Sequence, residues 1–147
     1  MTPSGSTLIP SLRYRDAPAA IDWLCHVFAL TQHAVYRNPD GTIAHAQLVS
    51  GTADAPGSGM VMLGSVKHEG VHEAYAAQPD EVDNRSTATI YLTVPACDAI
   101  YATAQAAGAT IVMPLQVMDY GGKAFSCLDL EHHLWSVGEY DPWAAQS

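Results

Sequence analysis

The 147-residue chain is 48% hydrophobic and 14% charged, and 15 Asp and Glu against 6 Lys and Arg leave a formal charge of −9. Such a composition buries a core without staples and is too apolar for a disordered chain. Its net negative charge repels polyanions, which argues against nucleic acid and anionic membrane surfaces as partners. Cys25, Cys97 and Cys127 form no CxxC pair, so neither a disulfide framework nor a zinc knuckle is supported. The first residues hold neither a positive nor an apolar signal segment, and no uninterrupted apolar run approaches a membrane span. The expectation is a reduced, soluble, cytoplasmic protein.

In chain order, Leu8 to Tyr14 alternate and favour a strand. Asp16 followed by Ala-Pro supplies a helix N-cap and a proline in the first turn. Ile21, Leu24, Cys25 and Phe28 then fall on one helical face, ending near Leu30. Val35-Tyr36-Arg37, the Asn38-Pro39-Asp40-Gly41 turn and Thr42 to Val49 read as a hairpin. A loop at 51–59 precedes a short strand, Met60 to Leu63. The polar stretch 65–86 reads as a linker. Beyond it come a strand from Thr87 to Val94 and a helical stripe of Cys97, Ile100, Tyr101 and Ala104, stopped by Gly108. Strands at Thr110–Met113, Ala124–Leu128 and Leu134–Tyr140 complete the chain.

Both halves therefore read β-α-β-β-β. The expected architecture is α+β: a single domain over 1–147 with modules at about 7–64 and 87–141. Their strands would form a curved mixed sheet around a shared cleft. Four strands cannot close a barrel, so the modules must pair, within the chain or across a homodimer.

Ile9-Pro10-Ser11-Leu12-Arg13-Tyr14-Arg15-Asp16 with Ala20 to Leu24, and His45-Ala46-Gln47-Leu48 leading to Met62-Leu63-Gly64, resemble the first module of the glyoxalase/bleomycin-resistance/extradiol-dioxygenase (vicinal oxygen chelate) superfamily. Asp119-Tyr120-Gly121, and Asp129-Leu130-Glu131-His132-His133 before Leu134-Trp135-Ser136-Val137-Gly138, are similar to that superfamily's closing turn and strand. Leu130 and His132 replace the usual Pro and Gly of that turn. The resemblance implies the fold strongly. It implies activity weakly, since the superfamily hosts isomerases, dioxygenases, thiol transferases and drug-sequestering proteins.

Metal-dependent members place His, Gln or Glu at four inward strand positions, which here fall on Ile9, about Met62, Thr89 and Ser136. None is a good ligand for a small divalent cation, so no metal and no other cofactor is expected. His68-Glu69-Gly70-Val71-His72 fits HExxH, but Gly70 and the lack of an apolar stripe argue against the helix that motif needs. His132 and His133 sit at a turn where their side chains diverge.

The candidate ligand contacts are Arg13, His45, Gln47, Tyr91, Tyr120 and Ser136. By parity, Ile43, His45, Gln47 and Val49 face the cleft, while Ala44, Ala46 and Leu48 pack under the helix. Arg13 stands four residues after Ile9, the spacing at which an arginine of glutathione-dependent glyoxalases contacts an anionic substrate group. It either holds a carboxylate or pairs with an acid across the module or dimer interface. His45 is either a ligand contact and candidate general base or a histidine satisfied by its neighbours. Trp23 and Trp135 read as core. The expected function is metal-free binding of a small anionic or polar aromatic molecule. A cofactor-free isomerase or lyase is the alternative, and the missing ligands disfavour a metal-dependent glyoxalase or dioxygenase.

Overall fold

The computed structural model describes residues 5–51 and 56–144. The first module comprises strand β1 (Ser11–Tyr14), helix α1 (Ala17–Phe28), and strands β2 (Thr31–Arg37), β3 (Ile43–Gly51) and β4 (Pro56–Ser65). The second comprises β5 (Ile90–Thr93), α3 (Cys97–Ala106), β6 (Thr110–Val117), β7 (Lys123–Leu128) and β8 (Leu134–Gly138). Each forms a four-stranded mixed sheet, ordered β1-β4-β3-β2 and β5-β8-β7-β6, in which the first strand runs parallel to the last.

Both helices start where the chain supplies an acceptor for their orphan N–H groups. In α1 it is local: Asp16 Oδ1 accepts from Ala19 N at 3.2 Å. At α3 the N-cap is Ala96, which has no acceptor side chain. The Glu139 carboxylate, just past β8, takes the Cys97 N–H at 2.9 Å and the Lys123 N–H at 3.0 Å instead. These bonds hold its pKa below the usual carboxylate range.

One face of each sheet carries a helix, and α1 packs on α3. Leu24, Phe28, Leu48 and Leu63 of the first module join Phe125, Trp135 and Val137 of the second in one buried core. Phe28 and Trp135 lie with ring centroids 4.7 Å apart. Full burial of one such apolar side chain contributes about 1.5–3 kcal/mol.

Polar contacts lock the modules where the β7–β8 turn meets the end of β1. The buried Asp129 carboxylate accepts four donors: Tyr14 Oη at 2.5 Å, Trp135 Nε1 at 3.0 Å, and the backbone N–H groups of Glu131 and His133 at 2.9 and 3.0 Å. Burial, then the Asp129 charge, pushes the Tyr14 phenol well above its ordinary pKa. Glu131 takes the N–H groups of Arg15 and Asp16 at 2.6 and 2.8 Å, and His133 Nε2 lies 2.9 Å from Arg13 O. His132, where the resembling turn has glycine, adopts φ +73° and sets its Nδ1 2.8 Å from Asn84 Oδ1.

The structure departs from sequence expectation in several places; β6 runs on to Val117 rather than Met113, and β8 stops at Gly138 rather than Tyr140. The first-module hairpin is longer: β2 begins at Thr31, and β4 begins at Pro56 inside the expected loop, of which 52–55 lie outside the described residues. In β3 the alternation breaks at a bulge, with Tyr36 opposite His45 but Arg37 opposite Ile43. The extra residue turns Ile43 into the core, 1% exposed, and leaves Ala44 exposed, the reverse of strict parity. The linker is partly structured, with a five-residue α2 (Val71–Tyr75) and a 3-10 turn at Pro79–Glu81. Strands at residues 8–10 and 87–89 are not formed, although Met62 N still donates to Pro10 O at 2.9 Å.

Replacing Asp129 with Asn keeps the shape but sets an NH2 group against donors. The expected loss is about 3 kcal/mol, and for a chain of this size the thermal midpoint should fall by roughly 6–12 °C. Thermal unfolding with a midpoint within about 2 °C of wild type would contradict this account.

Candidate functional site

The sheet faces turned away from the core are open, and the candidate residues stand on them. On the first, register aligns Ser11 with Met62 and Gln47, and Arg13 with Gly64. His45 and Gln47 alternate with the buried Ala46 and Leu48 and so project from the open face, half-buried. Gln47 Nε2 sits 3.0 Å from His45 Nε2. In that arrangement the amide N–H donates and the imidazole proton is on Nδ1; turning the amide over reverses both roles. Tyr36 stacks beside His45 with ring centroids 6.2 Å apart and planes 20° apart.

Arg13 reaches across β4 at Gly64. A Cβ on Gly64 would overlap Arg13 Nη1 and come within 3.1 Å of Ala44 O. The glycine therefore leaves the space that Arg13 Nη1 occupies. Among the described residues the arginine's one side-chain hydrogen bond is a long 3.5 Å contact to Ser65 O.

The second open face repeats the device with another side chain. Tyr91 lies over Gly138, where a Cβ would overlap Tyr91 Oη, and its hydroxyl donates to Tyr140 O at 2.8 Å. Tyr91 is in register with Ser136, whose hydroxyl is 2.7 Å from that of Ser126. Tyr120, at the β6–β7 turn, packs edge-on against Tyr140 with centroids 5.5 Å apart.

The six candidates thus form two groups, Arg13, His45 and Gln47 on one sheet and Tyr91, Tyr120 and Ser136 on the other. Among the described residues no hydrogen bond or ring contact joins the groups. Between the modules runs an open groove of about 820 Å³, lined by Leu8, Pro10, Met60, Tyr91 and Trp143 among others. Of the six candidates Tyr91 lines it. Ser126, Gly64 and Gly138 were not singled out from sequence as site residues. Ser126 was legible by parity with Ser136, but the glycines' role depends on which side chain crosses them.

The glyoxalase/bleomycin resistance protein/dioxygenase superfamily model matches residues 8–137. The chain belongs to this superfamily. Its fold is similar to that of TioX from Micromonospora sp. ML1, with 29% identity and a TM-score of 0.67 over 93% of this chain and 100% of that one. A glyoxylase/bleomycin resistance protein/dioxygenase domain from Frankia sp. EAN1pec aligns at 19% identity and TM-score 0.65, covering 93% of this chain and 92% of its own. The fosfomycin resistance protein FosX from Mesorhizobium loti aligns at 13% identity and TM-score 0.60, with 96% of each chain covered. No curated sequence relative matches the chain.

Does this superfamily member offer a metal site? Register puts Met62 beside Ser11 and Ser136 beside Tyr91, so the four positions present two apolar side chains, Ile9 and Met62, and two hydroxyls, Thr89 and Ser136. Those donors do not fit a divalent cation. Among the described residues no group of three His, Cys, Asp or Glu side chains converges. The HExxH-like segment is not one helix either: α2 begins at Val71, after His68 and Glu69, and Gly70 has φ +103°.

Burial holds all three cysteine thiols toward the protonated form. Burial raises Cys97 to about 11 and Cys127 to about 12, with nearby carboxylates adding to both, so these thiols stay protonated at neutral pH. Cys25 is raised as well, mainly by burial. Trp135 is core as expected, 2% exposed, while Trp23 is half-buried with its Nε1 donating to Ala107 O at 3.3 Å. Among the described residues no helix is long and apolar enough to cross a membrane.

Gly64→Ala should move the Arg13 guanidinium off β4 while the core stays packed. The Arg13 Nε–Hε NMR resonance should shift and the methyl resonances of Leu24 and Val27 should not. An unmoved Arg13 resonance would show that the glycine does not leave its space.

Proposed function

We propose that this superfamily member binds a small anionic or polar aromatic molecule on its open sheet faces, without a metal at the four strand positions. The observation that carries the reading is the patch of Arg13, His45, Gln47 and Tyr36. It combines a guanidinium with one long hydrogen bond, an imidazole–amide pair able to donate or accept, and an aromatic ring. A patch of this composition suits a carboxylate or another polar substituent on a planar molecule. A cofactor-free isomerase or lyase is the second reading. The His45 nitrogen that Gln47 contacts would then act as general base, and turnover should be lost in His45→Ala.

The site would be completed by a second copy. β1 and β5 are both edge strands of their sheets, and Leu8 and Tyr91 are exposed nearby. A homodimer that opposed the two kinds of open face would bring Arg13, His45 and Gln47 of one copy toward the second sheet of the other. Sedimentation should give twice the chain mass of 15.6 kDa. A monomer throughout the micromolar range would remove this element of the proposal.

Calorimetric titration against small carboxylates and aromatics, in the presence of a chelator, tests the binding reading. Loss of one charge-assisted hydrogen bond costs about 1.5–3 kcal/mol, so Arg13→Ala should weaken binding by roughly ten- to a hundredfold. His45→Ala should weaken it as well. Unchanged affinity in both variants for whatever ligand binds would place the site elsewhere.

A further inference from the structure

Three of the chain's six cationic side chains, Arg13, Arg15 and Lys67, line one pocket of about 280 Å³. Topology accounts for the clustering. β1 and β4 run parallel, with Tyr14 paired to Ser65, so both strands end on the same side. Arg13 and Arg15 flank the end of β1, and Lys67 follows β4 by two residues. The returning linker roofs the pocket with Gln78, whose Nε2 donates to Arg13 O at 2.8 Å.

The three cations are not equivalent. Arg15 is engaged, with Nη2 at 2.7 Å from Asp80 and 3.1 Å from Glu81. Glu81 also takes the Gln78 N–H at 3.1 Å. Among the described residues neither Arg13 nor Lys67 has a carboxylate within ion-pair range. Glu73 and Glu81 line the pocket beside His68, and with the Asp80 that holds Arg15 the carboxylates formally balance the three cations, in a chain of −9. Two unpaired cations of unlike geometry, a planar fork and a point charge, share one small cavity.

We propose that this pocket is an anion subsite that takes a doubly charged oxyanion, such as a phosphate monoester, held by Arg13 and Lys67. Arg13 would supply two parallel N–H donors and Lys67 the second charge. This deepens the reading of Arg13 as a ligand contact and rests on it. It adds Lys67 as a specificity-determining residue, the one that favours a dianion over a carboxylate.

Inorganic phosphate and acetate are the probes, and the thermal midpoint at constant ionic strength is the first readout. Phosphate should raise the wild-type midpoint saturably, and acetate should raise it less. Lys67→Gln and Arg13→Gln should each weaken the apparent phosphate affinity about tenfold, whereas Lys123→Gln, whose lysine pairs with Asp98 on the other module, should keep it. Line broadening of the phosphorus-31 signal by each folded variant gives the same comparison without heating. No saturable effect in wild type, or equal effects in wild type and Lys67→Gln, would overturn the subsite. If phosphate is indifferent to Lys67→Gln while His45→Ala still weakens an aromatic ligand, the pocket fails and the sheet-face reading stands.

Discussion

The joint between the two modules depends on one buried carboxylate. Asp129 is 2% exposed, and a polar side chain buried so deeply needs hydrogen-bond partners. Four donors meet it from three places: the end of β1, the core indole of Trp135, and the backbone of its own turn. The turn is then rigid enough for Glu131 and His133 to grip residues 13–16 of the first module. Hydrophobic contact between α1 and α3 supplies area, but it is non-directional. The Asp129 network supplies direction. It fixes where β1 ends, and so where Arg13 stands relative to β4 and to the returning linker.

Much of the fold was legible because its signals are local. The Asp16 cap, the stripe from Ile21 to Phe28, Gly108 after α3 and the Asn38–Gly41 turn each act within a few residues. The duplicated element order was visible for the same reason. Signals that depend on partners distant in sequence were not. The β3 bulge follows from pairing with β2, and it overturned the parity of Ile43 and Ala44 without disturbing that of His45 and Gln47. The linker's order comes from Arg15 bridging to Asp80 and from Gln78 bonding to Arg13 O, contacts that span 65 residues. No periodicity in the linker itself announces them.

The candidate site was legible in part. Side-chain alternation found the residues of both open faces, and composition made the few cations conspicuous. It could not tell that the faces point away from one shared core, because that depends on how α1 packs on α3. Departures from the resembling turn also gain a physical account. His132 takes a backbone conformation that glycine adopts freely, and its ring sits against Asn84, itself at φ +57°. A glycine would relax the backbone and leave the linker without that tether.

The paired glycines carry a consequence for how such a protein changes over generations. Gly64 and Gly138 are the same structural position in the two repeats, yet a guanidinium lies over one and a phenol over the other. Arg13 and Tyr91 both project from short edge strands, on the side away from the core, so exchanging either disturbs little packing. The duplicated scaffold thus separates what must be preserved from what is free to vary. Either edge-strand side chain can be exchanged while the helices, the core and the Asp129 joint remain untouched.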